Sequence, residues 1–195
     1  MSLKSEDIED FSFAGRRLVR FFLPEFSEVI TGLLDEMHRV SSEFTYSHKI
    51  NGRWENSYLP IDKVPSVRKV VHFSRNVAVE KFGKSLLATF DMQKGVRLMP
   101  FWFNIARPGE STGVHNHSSQ ASVSGVFYLR TTEDSGNIFF RVPDHDDFEL
   151  DCFEGSAILF PSSLSHGVHM NLSDKDRISL AFNLLKFPLP IGDDS

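Results

Sequence analysis

Between Gly113 and Gln120 the chain reads GVHNHSSQ, which sets two histidines one residue apart just ahead of the β-type run VSGVFYLR. Successive side chains of a strand leave on opposite faces, so His115 and His117 project from one side while Asn116 points away. Two imidazoles placed in this way suit a single metal ion. A polar loop with two exposed histidines would carry the same letters, so the pair indicates a site only if a third ligand is at hand. The stretch FPSSLSHGVHMN offers one: His166 stands directly after the apolar strand GSAILF, and His169 follows three residues later. A β-barrel brings together residues far apart in sequence. His115, His117 and His166 are thus candidate ligands of one ion, with coordination positions left open for substrate and oxygen. A closed tetrahedral zinc site is disfavoured, because the chain has no thiolate set.

Eleven residues after His166, Arg177 opens the strand RISLAF, with Ser179 two positions on and therefore on the same face. The planar fork of arginine matches two carboxylate oxygens, and a neighbouring hydroxyl adds a further donor to the same anion. An arginine at a strand end is commonly just a surface ion pair. Its spacing from His166 favours an anion anchor here. Trp102, Phe103 and Phe127 are candidate apolar walls, although aromatic residues at alternating strand positions also build plain core. The loop VPDHDDFELD contains Asp144, Asp146 and Asp147, any of which could bring a carboxylate to the ion, but its composition reads as a solvated acidic turn. His145 and His169 are expected at the periphery or on the surface.

These residues need a scaffold. The 195 residues, 41% hydrophobic and 24% charged, fit one ordinary globular domain spanning 1–195. The net charge of -5 argues against a broad phosphate-binding surface, so nucleic acid is not an expected partner. The basic-aromatic cluster GRRLVRFF is expected to lie on the core as a strand or short helix. Cys152 is the only cysteine, which excludes an intramolecular disulfide and fits a reducing cytoplasm. The first twenty residues lack the apolar core of a signal peptide and no apolar run approaches a membrane span, so a soluble cytoplasmic protein is expected.

Phe26, Val29, Ile30, Leu33, Leu34 and Met37 recur at helical spacing behind Pro24. HKINGRWENSYL carries Asn51-Gly52, a pair suited to a two-residue hairpin turn. Pro65 opens a second helix with Val67, Val70, Val71, Val77, Ala78 and Phe82 on one face, and Gly83 stops it. From about Leu86 the pattern changes to short β runs, LLATF, RLMPFWFNIA, ASVSGVFYLR, GNIFFRV, GSAILFP and RISLAFNLL, at the rhythm of a sandwich or barrel. The expected organisation is a helical front half over about 1–85 and a β core over about 86–187, with the helices buttressing one sheet.

PGESTGVHNH, SVSGVFYL, GSAILFPSSLSHGV and RISLAFN together resemble the double-stranded β-helix core of the Fe(II)/2-oxoglutarate-dependent oxygenases. The similarity is greatest to a little-characterised branch, more distant to the prolyl hydroxylases, and spans roughly Phe101 to Leu185. It implies a mainly β fold with N-terminal helices and a jelly-roll barrel. It further implies Fe(II) on His115, His117 and His166, and 2-oxoglutarate held by Arg177 and Ser179, with Tyr128 contacting the co-substrate. His117 stands where the superfamily usually has a carboxylate. Three neutral imidazoles leave the full +2 charge of the ion in place, where a carboxylate would reduce it to +1. The activity implied is oxidation of a substrate carbon with decarboxylation of 2-oxoglutarate to succinate, ascorbate serving as a supporting reductant. The substrate is left open between a small molecule and a protein side chain, and a homo-oligomer is compatible with the reading. Cupins share the barrel and also pair H-x-H with a distal histidine, and Gly109, Gly155 and Pro161 fall near cupin positions. On that alternative the chain is a three-histidine metal protein, either a dioxygenase independent of 2-oxoglutarate or a non-catalytic binding barrel. It leaves Arg177 and Tyr128 without a role.

Overall fold

The computed structural model describes residues 8–50, 53–92, 99–117 and 121–189. The chain opens with two antiparallel strands, β1 (Ile8–Phe13) and β2 (Arg16–Phe22). They turn through Ala14 and Gly15, both at positive φ, as a two-residue turn requires if the twist of the strands is to continue. The basic cluster is therefore a strand, with Leu18, Val19 and Phe21 buried and Arg20 paired to Glu9 at 2.5 Å. Helix α1 (Phe26–Arg39) buries Val29, Ile30, Leu33 and Met37, the stripe expected from their spacing. Strands β3 (Thr45–Ile50) and β4 (Arg53–Tyr58) pair with Ile50 opposite Arg53, and the expected turn residues Asn51 and Gly52 lie outside the described residues. Helix α2 (Val67–Phe82) ends at Gly83, whose φ of 60° is the left-handed conformation glycine adopts without steric cost.

The remaining strands are β5 (Leu86–Ala88), β6 (Phe101–Ala106), β7 (Thr112–His115), β8 (Ala121–Arg130), β9 (Ile138–Arg141), β10 (Phe148–Leu150), β11 (Ser156–Pro161), β12 (Ser165–Val168) and β13 (Arg177–Lys186). A nine-stranded sheet runs β1-β2-β11-β8-β13-β6-β4-β3, with β5 on β13, and a four-stranded sheet runs β10-β9-β12-β7. Neighbours in both sheets are antiparallel and mostly distant in sequence, the connectivity of a jelly roll. The front of the chain holds four strands besides its two helices. β2 pairs with β11 and β4 with β6, so these segments widen the large sheet at both ends.

Alternation along the strands separates two interiors. On one face of the large sheet Phe101, Phe103, Phe127, Leu129, Leu180, Phe182 and Leu184 pack with the apolar stripes of both helices. On the other face Val126, Tyr128, Ile158 and Phe160 pack with Ile138, Phe140 and Leu150 of the small sheet. Phe103 and Phe127 are thus core against the helices and do not wall the site. They fall on the odd side of strands whose neighbours Trp102 and Tyr128 point inward. In β13 Arg177, Ser179 and Ala181 share one side, while Ile178, Leu180 and Phe182 share the other.

Candidate metal centre

β7 and β12 are antiparallel neighbours, and their register sets His166 opposite His115. His117 follows at the end of β7, where its backbone N–H donates to Ser162 O at 2.8 Å. One ring nitrogen from each of the three histidines lies within 4.8 Å of the others. The sequence suggested a strand end for His166; it stands instead inside a short strand paired on both sides, by β7 and by β9.

The histidines are oriented by their own backbone. His115 Nδ1 lies 2.8 Å from Gly113 O, and His166 Nδ1 lies 3.0 Å from Leu164 O. A carbonyl only accepts, so each Nδ1 carries the proton and each Nε2 keeps its lone pair for a metal. The arrangement fits a divalent transition ion. Among the described residues no carboxylate joins the cluster. Asp147 is bound to Arg141 at 2.6 Å, Asp144 and Asp146 are exposed, and His169 is held by Glu149 at 2.7 Å.

Burial, followed by the neighbouring charge of His115, pushes the His166 pKa from the usual 6.5 down to about 3, with the Leu164 carbonyl opposing and the charge of His117 adding a smaller push in the same direction. No proton therefore has to be displaced from His166 for a metal to bind at neutral pH. In the metal-free protein the unfolded chain takes up this proton below pH 6.5 while the folded one refuses it. The contribution is complete above about 6.5 and is lost as pH falls toward 3, at roughly 1.4 kcal/mol per pH unit. Urea unfolding of the metal-free protein between pH 7 and 4.5 should show this loss, and His166→Gln should flatten the profile. Equal slopes for the two proteins would contradict the assignment.

Tyr128, Arg177 and Ser179 line the same cavity as the three histidines. Ser179 on β13 pairs with Asn104 on one side and with Tyr128 on the other, so a polar row crosses the floor of the barrel. Asn104 Nδ2 extends the row by donating to Glu55 O at 2.7 Å and to Asn56 Oδ1 at 3.3 Å. Arg177 is 3% exposed, and its Nη1 donates to the backbone carbonyls of Ser135, Gly136 and His169. The Tyr128 hydroxyl is buried with no hydrogen-bond partner among the described residues; the Cys152 sulfur lies near it but outside bonding geometry. Burial, with Cys152 adding to it, holds its pKa well above the usual range, so it remains a neutral donor. A buried cation beside an unsatisfied hydroxyl is a fit for a carboxylate. Trp102 lines this cavity and meets His117 edge-on at 5.4 Å. Asn56, Asn104 and Thr112 also line it and were missed from the sequence, because only strand register brings them there.

In sequence, the chain matches over residues 144–183 a family described as "Putative 2OG-Fe(II) oxygenase". That segment includes His166, Arg177 and Ser179 and stops short of the H-x-H pair. A prolyl-4-hydroxylase from Pseudomonas putida superposes with a TM-score of 0.61 over 92% of each chain at 16% identity. The fold is that of the 2OG-Fe(II) oxygenases. The non-heme alpha-ketoglutarate-dependent epimerase SnoN from nogalamycin biosynthesis gives a TM-score of 0.66 over 87% of this chain and 76% of its own, at 12% identity. A prolyl hydroxylase from Trichoplax adhaerens, solved with a peptide of hypoxia inducible factor, gives 0.61 over 93% and 84%, at 10% identity. No curated protein matches the chain in sequence. The cavity lies between the two sheets: the histidines come from β7, the residues just after it and β12 of the small sheet, and Arg177, Ser179 and Tyr128 come from the large one. No helix among the described residues is long and apolar enough to cross a membrane.

Proposed function

We propose that this chain is a 2-oxoglutarate-dependent oxygenase, holding Fe(II) on His115, His117 and His166 and the distal carboxylate of 2-oxoglutarate on Arg177, Ser179 and Tyr128. The observation that carries the reading is the shared cavity: three converging imidazoles on one side, a buried guanidinium and an unsatisfied hydroxyl on the other. Fe(II) with bound 2-oxoglutarate supplies the activation of O2, and with it the oxidation of a substrate carbon coupled to release of succinate and CO2.

The protein's part is to bind, orient and exclude. Gly113 O and Leu164 O fix the tautomers of two ligands. The guanidinium offers the bidentate fork, while the Ser179 and Tyr128 hydroxyls are placed to donate to the same anion. With the usual carboxylate replaced by His117, the carboxylate of the co-substrate nearest the ion would lower the local charge from +2 to +1, while its distal carboxylate is matched by Arg177. Trp102, Ile138, Phe160 and Val168 give the cavity apolar walls that keep water from the reacting atoms. Structures similar to this one include an epimerase bound to a nogalamycin compound and a hydroxylase bound to a peptide, so the substrate we propose is a small molecule or a protein side chain.

Oxygenases of this kind turn over 2-oxoglutarate slowly without their primary substrate. Protein loaded anaerobically with Fe(II), 2-oxoglutarate and ascorbate should therefore form succinate on exposure to air, read by mass spectrometry. Three neutral ligands also suit a cupin-like site that makes no use of 2-oxoglutarate. A complete lack of succinate across a broad substrate panel, with iron and 2-oxoglutarate both verified as bound, would favour that second reading.

A further inference from the structure

The Arg177 guanidinium does not sit free in the cavity wall. Its Nη1 is enclosed by three backbone carbonyls, Ser135 O, Gly136 O at 3.1 Å and His169 O at 3.2 Å. Two of these belong to the loop 132–137, whose shape is set by local chemistry. Ser135 N–H closes on Thr132 O at 3.1 Å and Thr132 N–H on Ser135 Oγ at 3.2 Å, while Asp134 and Gly136 both take left-handed conformations. The loop is then fastened at both ends. Leu172 N–H donates to Asp134 O at 2.8 Å, and the Asn137 side chain bridges Asp151 Oδ1 at 3.0 Å and the Cys152 N–H at 3.3 Å.

Gly136 is the tight point of this cage. At φ +88° a side chain is strained, and a Cβ would lie 2.8 Å from Arg177 Nη1 and press on the His169 carbonyl as well. The space that a Cβ would occupy is the space that holds the guanidinium in register. Gly109, at φ +83°, shares the positive φ with nothing within 4 Å of its would-be Cβ.

We infer that Gly136 is a positioning residue for the anion anchor: its missing side chain lets the carbonyls of the 132–137 loop hold Arg177 aimed at the distal carboxylate of the co-substrate. The inference rests on the reading of Arg177 given under Proposed function. Preorganised donors bind an anion without reordering at the moment of binding, and displacement of one group by about an ångström commonly costs up to a hundredfold.

Oxalate makes the test specific, because it chelates a metal through two carboxylate oxygens but has no distal carboxylate to reach Arg177. Calorimetry on anaerobic, metal-loaded wild type, Gly136→Ala and the control Gly109→Ala should measure both ligands and the metal itself. In Gly136→Ala, 2-oxoglutarate affinity should fall roughly ten- to a hundredfold, with oxalate and metal affinity unchanged. In Gly109→Ala all three should match wild type. Should Gly136→Ala fail to fold, Asn137→Ala loosens the loop without adding an atom to the cage, and a several-fold loss confined to 2-oxoglutarate is expected. Wild-type 2-oxoglutarate affinity in the folded variant, or equal losses of oxalate and 2-oxoglutarate, overturns the inference while leaving the proposed function standing. Wild type that binds oxalate but no 2-oxoglutarate overturns both.

Discussion

Arg177→Met is expected to leave metal content unchanged while weakening 2-oxoglutarate binding by roughly thirtyfold to several thousandfold. Methionine keeps much of the apolar stem and removes the charged fork, so the distal carboxylate enters a buried site without its ion partner. Truncating one partner of a buried charge pair costs about 2–5 kcal/mol, which is the stated range of affinity. Arg177 is 3% exposed, so solvent offers the anion little compensation. The substitution also strips a donor from the carbonyls of Ser135, Gly136 and His169, and a stability loss of about 1–3 kcal/mol should accompany it. Binding must therefore be measured on the folded fraction, at a temperature well below the variant's melting point. Equal 2-oxoglutarate affinity in the two proteins would defeat the assignment of Arg177, and no affinity in wild type would favour the cupin-like reading.

The second large effect is expected at His166. His166→Ala removes one of three ligands, the most buried of them, held neutral by that burial and fixed in direction by Leu164 O. Loss of a partner that only orients a ligand already lowers metal affinity about 10- to 100-fold, so loss of the ligand should exceed that. Purified wild type should contain one divalent transition ion per chain by elemental analysis, and the variant close to none. Nitrogen ligands bind copper, nickel and zinc more tightly than ferrous iron, so the ion found after purification reports availability as much as function. Full occupancy in the triple variant His115→Ala, His117→Ala, His166→Ala would show that the ion sits elsewhere.

Much of this was legible in the sequence because period and chemistry agreed. Phe26 to Met37 and Val67 to Phe82 carry apolar residues at helical spacing, and both form helices that bury most of those residues and half-bury Phe26, Leu34 and Phe82. The H-x-H spacing places two rings on one side, and His166 closes the group. Less was legible where partners decide. Alternation says that Trp102 and Phe103 face opposite ways, but only the packing of the helices on one face tells which of them sees the cavity. Asn56 and Asn104 are unremarkable polar residues until β4, β6 and β13 lie side by side. The arginine-rich β2 buries residues on both faces, Val19 and Phe21 on one and Leu18 on the other, where Arg20 is largely covered and paired to Glu9, so burial there does not follow simple alternation.

β7 is the outermost strand of the small sheet, with β12 as its single strand neighbour among the described residues. Its free side is held at Gly113, whose N–H donates to the buried Glu55 carboxylate at 3.2 Å. Strands with one neighbour open locally at far lower free energy than strands paired on both sides, long before the domain unfolds. His115 lies on this strand and His117 just beyond it, while His166 lies on the doubly paired β12, so the three ligands belong to regions of unequal local stability. Fraying of one short strand would swing two imidazoles outward together and leave the third in place. The two part-exposed ligands of the candidate site therefore sit at an edge of the barrel, and the buried one sits inside a sheet. An ion held by all three would fasten an edge strand of the small sheet to its neighbour.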